Sequence, residues 1–303
     1  MEIRPVRDQE QMAASSLTVP GLPSAERLAR RALERSSIDP RCQIVAVDGS
    51  TVFGACLYLL TAGRGATVLI PALSPRRSIA DPEQVRRDLI RRAAAACREG
   101  GAVLIQALIE EAPDQIGGRR FLDAGFHFLA ALDYLELQVN SATRAELDTH
   151  WDPQRYSPET EQQFARLIQE TYEGSLDCPV LDGLRSPDDI LASHKACGIF
   201  TPDGWVLARN EGEPAGLVLV NRLAERPACE LVYMGVAPRF RGRGLGRWLI
   251  AKAVATARGL KCRTLTVAVD GGNAPARRLY EQAGFAAVGR RYAYYFPPVA
   301  PTA

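Results

Sequence analysis

Two halves of this chain carry one pattern in the same order, and that repetition limits the folds open to it more than any other feature. Residues 66–75 read ATVLIPALSP and residues 229–238 read CELVYMGVAP, each a strand-like apolar run ending in a small residue and proline. Each run leads through a loop to a helical segment expected to begin with Leu-Ile, at Leu89-Ile90 and at Leu249-Ile250. Further strands are predicted over Ala102–Leu108 and Thr264–Val269, followed by RRFLDAGF at 119–126 and RRLYEQAGF at 277–285. The offset between the copies stays near 160 residues throughout. Agreement of order, spacing and residue type at four places is the signature of a duplicated structural unit.

Within each copy the elements alternate. A hairpin-like pair comes first, Ile44–Val47 with Thr51–Leu60 and Trp205–Arg209 with Ala215–Leu223, around the turns Asp48-Gly49-Ser50 and Glu211-Gly212-Glu213. Strands interleaved with helices predict an α/β (α+β) sheet with helices packed on it, built twice. The 303 residues suit two domains of about 150 each. Asn140–Thr143 and Trp151–Pro153 break the periodicity, which places a first domain at 1–140, a linker at 141–156 and a second domain at 157–303.

Composition narrows the function classes. A net charge of +2 with scattered arginines argues against a nucleic-acid partner and leaves room for a local phosphate site. The seven cysteines form no C-x-x-C pair and there are three histidines, so no metal site is expected and the thiols read as reduced core residues. Met1–Arg4 lacks the apolar segment of a signal peptide, and no apolar run approaches the roughly 18 residues of a membrane span. The expectation is a cytoplasmic protein without a membrane partner. Composition leaves the oligomeric state open.

The segment Arg241-Gly242-Arg243-Gly244-Leu245-Gly246 carries the most chemistry. A strand precedes it, and the following helix lays Leu249, Ile250, Ala253, Val254, Ala257 and Leu260 on one face. A helix start offers unpartnered N–H groups and the positive end of the helix dipole, and glycines let the main chain approach an anion. Arg241 and Arg243 could add charge-assisted bonds to phosphate. A P-loop is disfavoured, because no Lys-Ser/Thr follows the glycines. In a dinucleotide G-x-G-x-x-G the third glycine would fall at Arg247, although Asp270 ends a later strand as that fold requires. A ligand-free tight turn is the remaining alternative.

Two motifs together resemble the GNAT superfamily of acyl-CoA-dependent N-acyltransferases. Its R/Q-x-x-G-x-G/A motif matches Arg241–Gly246 after the strand Leu231–Val236 and Pro238, and its later signature matches Asn273–Tyr280 followed by Gly284-Phe285. The matched region spans roughly 205–296. The resemblance implies acetyl-CoA as cosubstrate, two tandem domains each with a mixed, mostly antiparallel sheet flanked by helices, and a degenerate N-terminal copy. It implies coenzyme contacts from Val236, Ala237, Arg241, Gly242, Arg243, Gly244, Leu245, Gly246 and Arg247, with Asn273 orienting the coenzyme arm unless it is simply a turn residue. N–H groups near Val236 would stabilise the thioester oxygen. The family places Tyr280 by the coenzyme sulfur. As a phenol it is protonated at neutral pH and can give its proton to the leaving thiolate, the alternative being a core tyrosine facing Gly284-Phe285. Glu230, eight residues before Pro238, is the candidate base, the alternative being a solvated strand start.

The N-terminal copy lacks these parts. Ser74–Ile79 has no glycine where the anion loop should be, and Phe121 falls opposite Tyr280 and offers no proton. One coenzyme per chain is therefore expected. A tandem with a degenerate first copy is similar to the mycothiol synthase branch, and Glu230 and Tyr280 match that branch's acid–base pair. No diagnostic substrate motif accompanies them. Residues 172–189, rich in Gly, Pro and Asp, form a loop between two helices, where the superfamily borders its acceptor. Tyr172, Asp177 and Asp182 are therefore candidate contacts to a cationic amine, an acidic surface loop being the alternative. His150 and His194 give no signal. The reading is an N-acetyltransferase acting on a small-molecule amine. Its alternatives are a protein N-terminal or lysine acetyltransferase and a non-catalytic acyl-CoA sensor or scaffold.

Overall fold

The computed structural model describes residues 1–18, 39–139, 150–224 and 226–298. The chain divides into two compact units, Met1–Leu129 with Tyr292–Ala303, and Ala130–Arg291.

Unit 1 opens with β1 (Glu2–Pro5) and helix α1 (Gln11–Thr18), then the meander β2 (Gln43–Asp48), β3 (Thr51–Thr61), β4 (Gly65–Val68) and β5 (Ala72–Leu73). Helix α2 (Pro82–Glu99), β6 (Leu104–Ile109) and helix α3 (Ile116–Asp123) follow, before the chain leaves through β7 (His127–Gln138). The sheet order is β1-β2-β3-β4-β6, with β5 beside β3. Among the described residues of this unit only β4 and β6 pair in parallel, over Gly65–Thr67 and Leu104–Gln106. The apolar run expected over 66–75 is interrupted at Pro71, which has no N–H for a ladder, and the chain resumes as β5, again antiparallel to β3 but one residue out of the β4 register.

Unit 2 repeats this plan. It contains β8 (Asp152–Arg155), α4 (Glu161–Tyr172), α5 (Pro187–Ala196), β9 (Trp205–Asn210), β10 (Glu213–Arg222), β11 (Ala228–Val236), α6 (Leu245–Gly259), β12 (Thr264–Asp270) and α7 (Ala274–Gln282), and the chain ends in β13 (Ala286–Phe296). Its sheet order is β8-β9-β10-β11-β12-β7. Here too, among the described residues, a single parallel pair, β11 with β12, sits among antiparallel neighbours. Each unit therefore has the mixed, mostly antiparallel sheet the sequence implied. Trp205, Trp248 and Phe164 anchor the core of unit 2, and Phe121, Phe126 and Tyr294 that of unit 1.

The duplication is visible at the end of each last helix. Gly125 and Gly284 both take positive φ (97° and 92°), and the following phenylalanine N–H returns to the carbonyl five residues back, Phe126 to Phe121 and Phe285 to Tyr280. The rings then meet edge-on, 5.2 Å apart in one copy and 5.3 Å in the other.

The domain limits differ from a simple division along the chain. The sheet of unit 1 closes with Tyr292–Phe296, paired to β6, and that of unit 2 with the β7 residues Leu132–Gln138, paired to β12. Each copy thus takes its last strand from a segment the linear reading assigned to the other. Of the linker expected at 141–156, residues 141–149 lie outside the described residues, while Asp152–Arg155 is strand β8, paired to β9, with the Trp151 ring buried beside Phe240. Pro153 is tolerated there because β8 is an edge strand.

Candidate active site

In unit 2 the parallel strands part. β11 and β12 pair only over Ala228–Glu230 and Thr264–Thr266, after which β11 follows β10 to Val236 and β12 follows β7 to Asp270. A register shift against β10 falls within the same stretch, at Leu219/Val220 opposite Tyr233 and Leu231, leaving Val232 as the extra residue. The gap opens into a cleft of about 650 Å³, bordered by Leu231–Val236 and Val267–Val269. That volume lies in the range of small-molecule sites. The end of α4 and its following loop, the segment 240–247 and the inner face of α7 complete the walls.

The glycine-rich segment forms an anion-binding mouth. Gly242 and Gly244 have φ of 75° and 84°, a region where only glycine sits without strain. A Cβ at either would meet open space, so the requirement is conformational. Among the described residues the N–H groups of Gly242, Arg243, Gly244, Leu245 and Gly246 have no acceptor, while Arg247 and Trp248 turn back to the Gly244 carbonyl. Five consecutive donors at the positive end of a 15-residue helix suit a phosphate. Gly246 serves differently. A Cβ there would lie 2.8 Å from Leu279 Cδ2, so its absence lets α6 approach α7. The corresponding helix of unit 1 is closed to anions. It starts with Pro82, which has no N–H, and the Asp81 carboxylate caps it by accepting from Gln84 N at 2.8 Å.

Two of the residues expected at the coenzyme make contacts within the protein. The Arg241 guanidinium donates to the carbonyls of Val236 (3.1 Å), Gly174 (3.2 Å), Thr171 (3.0 Å) and Glu173 (2.7 Å). Four of its five N–H donors are thus engaged with main chain, and the side chain is a brace between the α4 end and the anion loop. Ala237 is fully buried and its N–H donates to Ala215 O at 2.9 Å, so it has no donor to offer a thioester. Arg243 is exposed, its guanidinium 5.6 Å from the Phe240 ring centroid, and Arg247 borders the cleft mouth with a 3.4 Å bond to Gln282.

Tyr280 projects from α7 into the wall of the cleft with 4% of its surface exposed, and burial pushes its phenol well above the ordinary value. Its ring also packs on Phe285, so the core-tyrosine and cleft-tyrosine alternatives coexist in one residue. Asn273 caps α7, its Oδ1 accepting from Ala276 N at 3.2 Å, while the residue borders the cleft. Glu230 does not line the cleft. It sits at the last paired position before the strands part, opposite Asn221 on β10 and Thr266 on β12. Burial raises the pKa of its carboxyl, against an opposing pull from Arg226. Cross-strand partners share a face, and the Asn221 amide donates to the carbonyls of His194 and Cys197 at the end of α5. Glu230 therefore faces the α4–α5 side of the sheet.

The α4–α5 connection forms the remaining wall. Asp177 borders the cleft, Tyr172 stands behind it with its ring 5.9 Å from Tyr233, and Asp182 is exposed and away from it. A reciprocal clasp holds the loop to the end of β12. The Asp177 carboxylate accepts from Asp270 N at 3.1 Å, and the Asp270 carboxylate accepts from Cys178 N at 3.2 Å. These three side chains bring possible metal-ligand atoms within 4.8 Å of one another. Asp270, which a dinucleotide site would have turned to a ribose, is occupied by this clasp and by Gly272 N.

Sequence reasoning overlooked Tyr233, Thr171 and Gly235. The Tyr233 hydroxyl lies 2.7 Å from that of Thr171, and a Cβ on Gly235 would fall 2.5 Å from Thr171 Oγ1. All three border the cleft, and only the even spacing of Gly235 and Tyr233 along one strand signals it.

Residues 163–285 match the family described as Acetyltransferase (GNAT) family. The chain is 37% identical over 87 residues to the 5-NmdU N-acetyltransferase of Pseudomonas phage PaMx11, covering 28% of this chain and 60% of that protein. It is 34% identical over 98 residues to the mycothiol acetyltransferase of Propionibacterium freudenreichii, covering 31% of each. Both matches thus span less than two thirds of the relative. The whole chain superposes on a tandem GNAT protein from the clavulanic acid biosynthesis pathway with a TM-score of 0.55 at 18% identity, covering 100% of this chain and 99% of that one, a likeness of fold. No helix among the described residues is long and apolar enough to cross a membrane.

Proposed function

We propose, for a chain whose residues 163–285 belong to the GNAT acetyltransferase family, that unit 2 transfers an acetyl group from acetyl-CoA to the primary amine of a small molecule. The observation that carries this reading is the parting of β11 from β12 directly behind five unpartnered N–H groups. The backbone of Gly242–Gly246 holds the pyrophosphate, Arg243 and Arg247 add charge at the mouth, and the coenzyme arm runs between the strands past Asn273. Bound there, acetyl-CoA supplies an activated acyl carbon.

The amine nitrogen attacks the thioester carbonyl, its proton passes to Glu230, and the carbon–sulfur bond breaks as Tyr280 gives its phenolic proton to sulfur. The products are an N-acetylamine and the coenzyme thiol. Because Glu230 stands outside the cleft lining, a water bridges it to the amine. Raised pKa values suit both groups. A carboxylate of higher pKa is a stronger base, and a phenol of higher pKa stays protonated until the thiolate forms. The relative named mycothiol acetyltransferase supports a small-molecule acceptor.

The test is thiol release from acetyl-CoA across a panel of small amines and peptide N-termini. Amine-dependent release favouring small molecules supports the reading. Preference for peptides replaces it with a protein acetyltransferase, and binding of coenzyme without release by any amine replaces it with a sensor.

A further inference from the structure

A pair of hydroxyls in the cleft wall has a fixed polarity to which the chemistry above gives no role. Tyr233 on β11 and Thr171 near the end of α4 both border the cleft, and their hydroxyl oxygens lie 2.7 Å apart. Gly235 makes this approach possible, because a Cβ there would fall 2.5 Å from Thr171 Oγ1 and 2.7 Å from Thr171 Cβ. Two further rings hold Tyr233 in place. It meets Tyr172 edge-on at 5.9 Å and lies 5.2 Å from the His194 ring at a tilt of 31°.

Thr171 Oγ1 also donates to the Ile168 carbonyl at 2.7 Å, and a carbonyl has no proton to give in return. The single threonine proton is therefore spent on Ile168, and the bond between the two hydroxyls takes the proton of Tyr233. Burial holds the phenol far above its ordinary pKa, so that proton stays on the tyrosine. Tyr233 thus offers the cleft lone pairs and no donor, which is the complement of an N–H group.

The bulge in β11 sets the side of the sheet that this oxygen serves. Glu230, Tyr233 and Gly235 pair with Asn221, Leu219 and Leu217 of β10, alternate residues that share one face. Without the extra residue Val232, Tyr233 would fall on the face opposite Glu230. With it, phenol and carboxylate stand on the same side, two ladder positions or about 7 Å apart along the strand.

We propose that the Tyr233 oxygen accepts one N–H of the acceptor amine while the other N–H points to the water leading to Glu230, so that Tyr233 and Thr171 select primary over secondary amines. The inference rests on the acetyltransferase reading above. A neutral primary amine has two N–H groups and one lone pair. With one N–H on Tyr233 and one toward Glu230, the lone pair is left for the thioester carbon. As the nitrogen–carbon bond forms and the carbon–sulfur bond breaks, the proton on the Glu230 side leaves, and the N–H on Tyr233 stays as the amide N–H of the product. A secondary amine has one N–H, which the base must take, and it leaves the Tyr233 oxygen without a donor. Tyr233 acts by contact with the amine, and Thr171 is a positioning residue that acts through Tyr233.

The test follows thiol release from acetyl-CoA by the full chain with a primary amine from the panel above and with its N-methyl derivative, at rates expressed per acetyl-CoA site counted by calorimetry. Tyr233→Phe is expected to lower kcat/KM for the primary amine by about five- to a hundred-fold, the usual effect of leaving a buried polar group without its partner, and to shrink the ratio of primary to N-methyl turnover by a similar factor. Thr171→Val, which frees the phenolic proton to turn into the cleft, is expected to reproduce that loss, and Thr171→Ser to restore the parent rate. The double variant Tyr233→Phe/Thr171→Val should be no slower than Tyr233→Phe, since both changes act through one oxygen. An equal loss for both amines in Tyr233→Phe, or no loss for either, overturns the inference while leaving the acetyltransferase reading intact. With a derivative that is not turned over, the double variant gives the answer, and losses that multiply overturn the inference. Failure of every amine to release thiol overturns both.

Discussion

Replacing Arg241 with methionine separates two roles that its place in the glycine-rich motif confounds. The methionine stem keeps most of the aliphatic packing and removes four hydrogen bonds of 2.7–3.2 Å to the carbonyls of Thr171, Glu173, Gly174 and Val236. Each such bond contributes about 0.5–1.5 kcal/mol net. Arg241 is exposed, so the released carbonyls regain water and the total falls below the sum, at about 2–3 kcal/mol. For a unit of this size each kcal/mol moves the melting temperature by about 2–4 °C, which gives a drop of about 4–12 °C. The drop is expected in the ligand-free protein and at high salt alike, because the partners are neutral carbonyls. The acceptor KM should rise as well, since the brace ties the wall after α4 to the anion loop. Thermal melts with and without acetyl-CoA, at two salt concentrations, check this. An unchanged ligand-free melt, with a salt-dependent loss of coenzyme affinity alone, would show that Arg241 is a phosphate ligand and refute the brace.

Tyr280→Phe should keep the packing on Phe285 and coenzyme affinity while lowering kcat roughly ten- to a thousand-fold, within or just below the usual scale for acid–base catalysis; single-turnover rates check it, and a parent rate makes the phenol structural. Glu230 must be deprotonated to act, and its pKa is raised, so parent activity should climb with pH through a limb above the ordinary glutamate range. Glu230→Gln should erase that limb, losing most activity near neutral pH and recovering part at high pH where the amine deprotonates unaided, as a pH–rate profile would reveal. Gly246→Ala should leave the melt within about 1 kcal/mol of the parent, since the helix propensity gained offsets the contact strained, yet displace Leu279 and lower kcat severalfold.

Much of the site was legible because its chemistry is contiguous in sequence. The loop Arg241–Gly246 announces a helix start open to anions, and Asn273–Tyr280 announces a capped helix, both by local residue type. The tandem plan was legible because Phe121–Phe126 and Tyr280–Phe285 repeat one helix stop. The exchange of last strands between the copies was not, since pairing β6 with Tyr292–Phe296 and β12 with Leu132–Gln138 is a long-range choice that local periodicity leaves open. Nor could sequence assign the Arg241 side chain, three of whose four acceptors are main-chain atoms about 70 residues away and carry no residue signature. The Ala237 N–H was equally illegible, because its acceptor, Ala215 O, lies on another strand.

The measurement that tests the central claim most directly is a calorimetric titration of the full chain with acetyl-CoA, repeated on Gly244→Glu. Gly244 lies at positive φ, and a carboxylate there is strained and opposes phosphate at the helix start. The account predicts one site per chain in the parent, because Asp81 and Pro82 close the equivalent helix of unit 1, and no binding by the variant at an intact melting transition. Two sites in the parent, or an unchanged affinity in a folded Gly244→Glu, would contradict it.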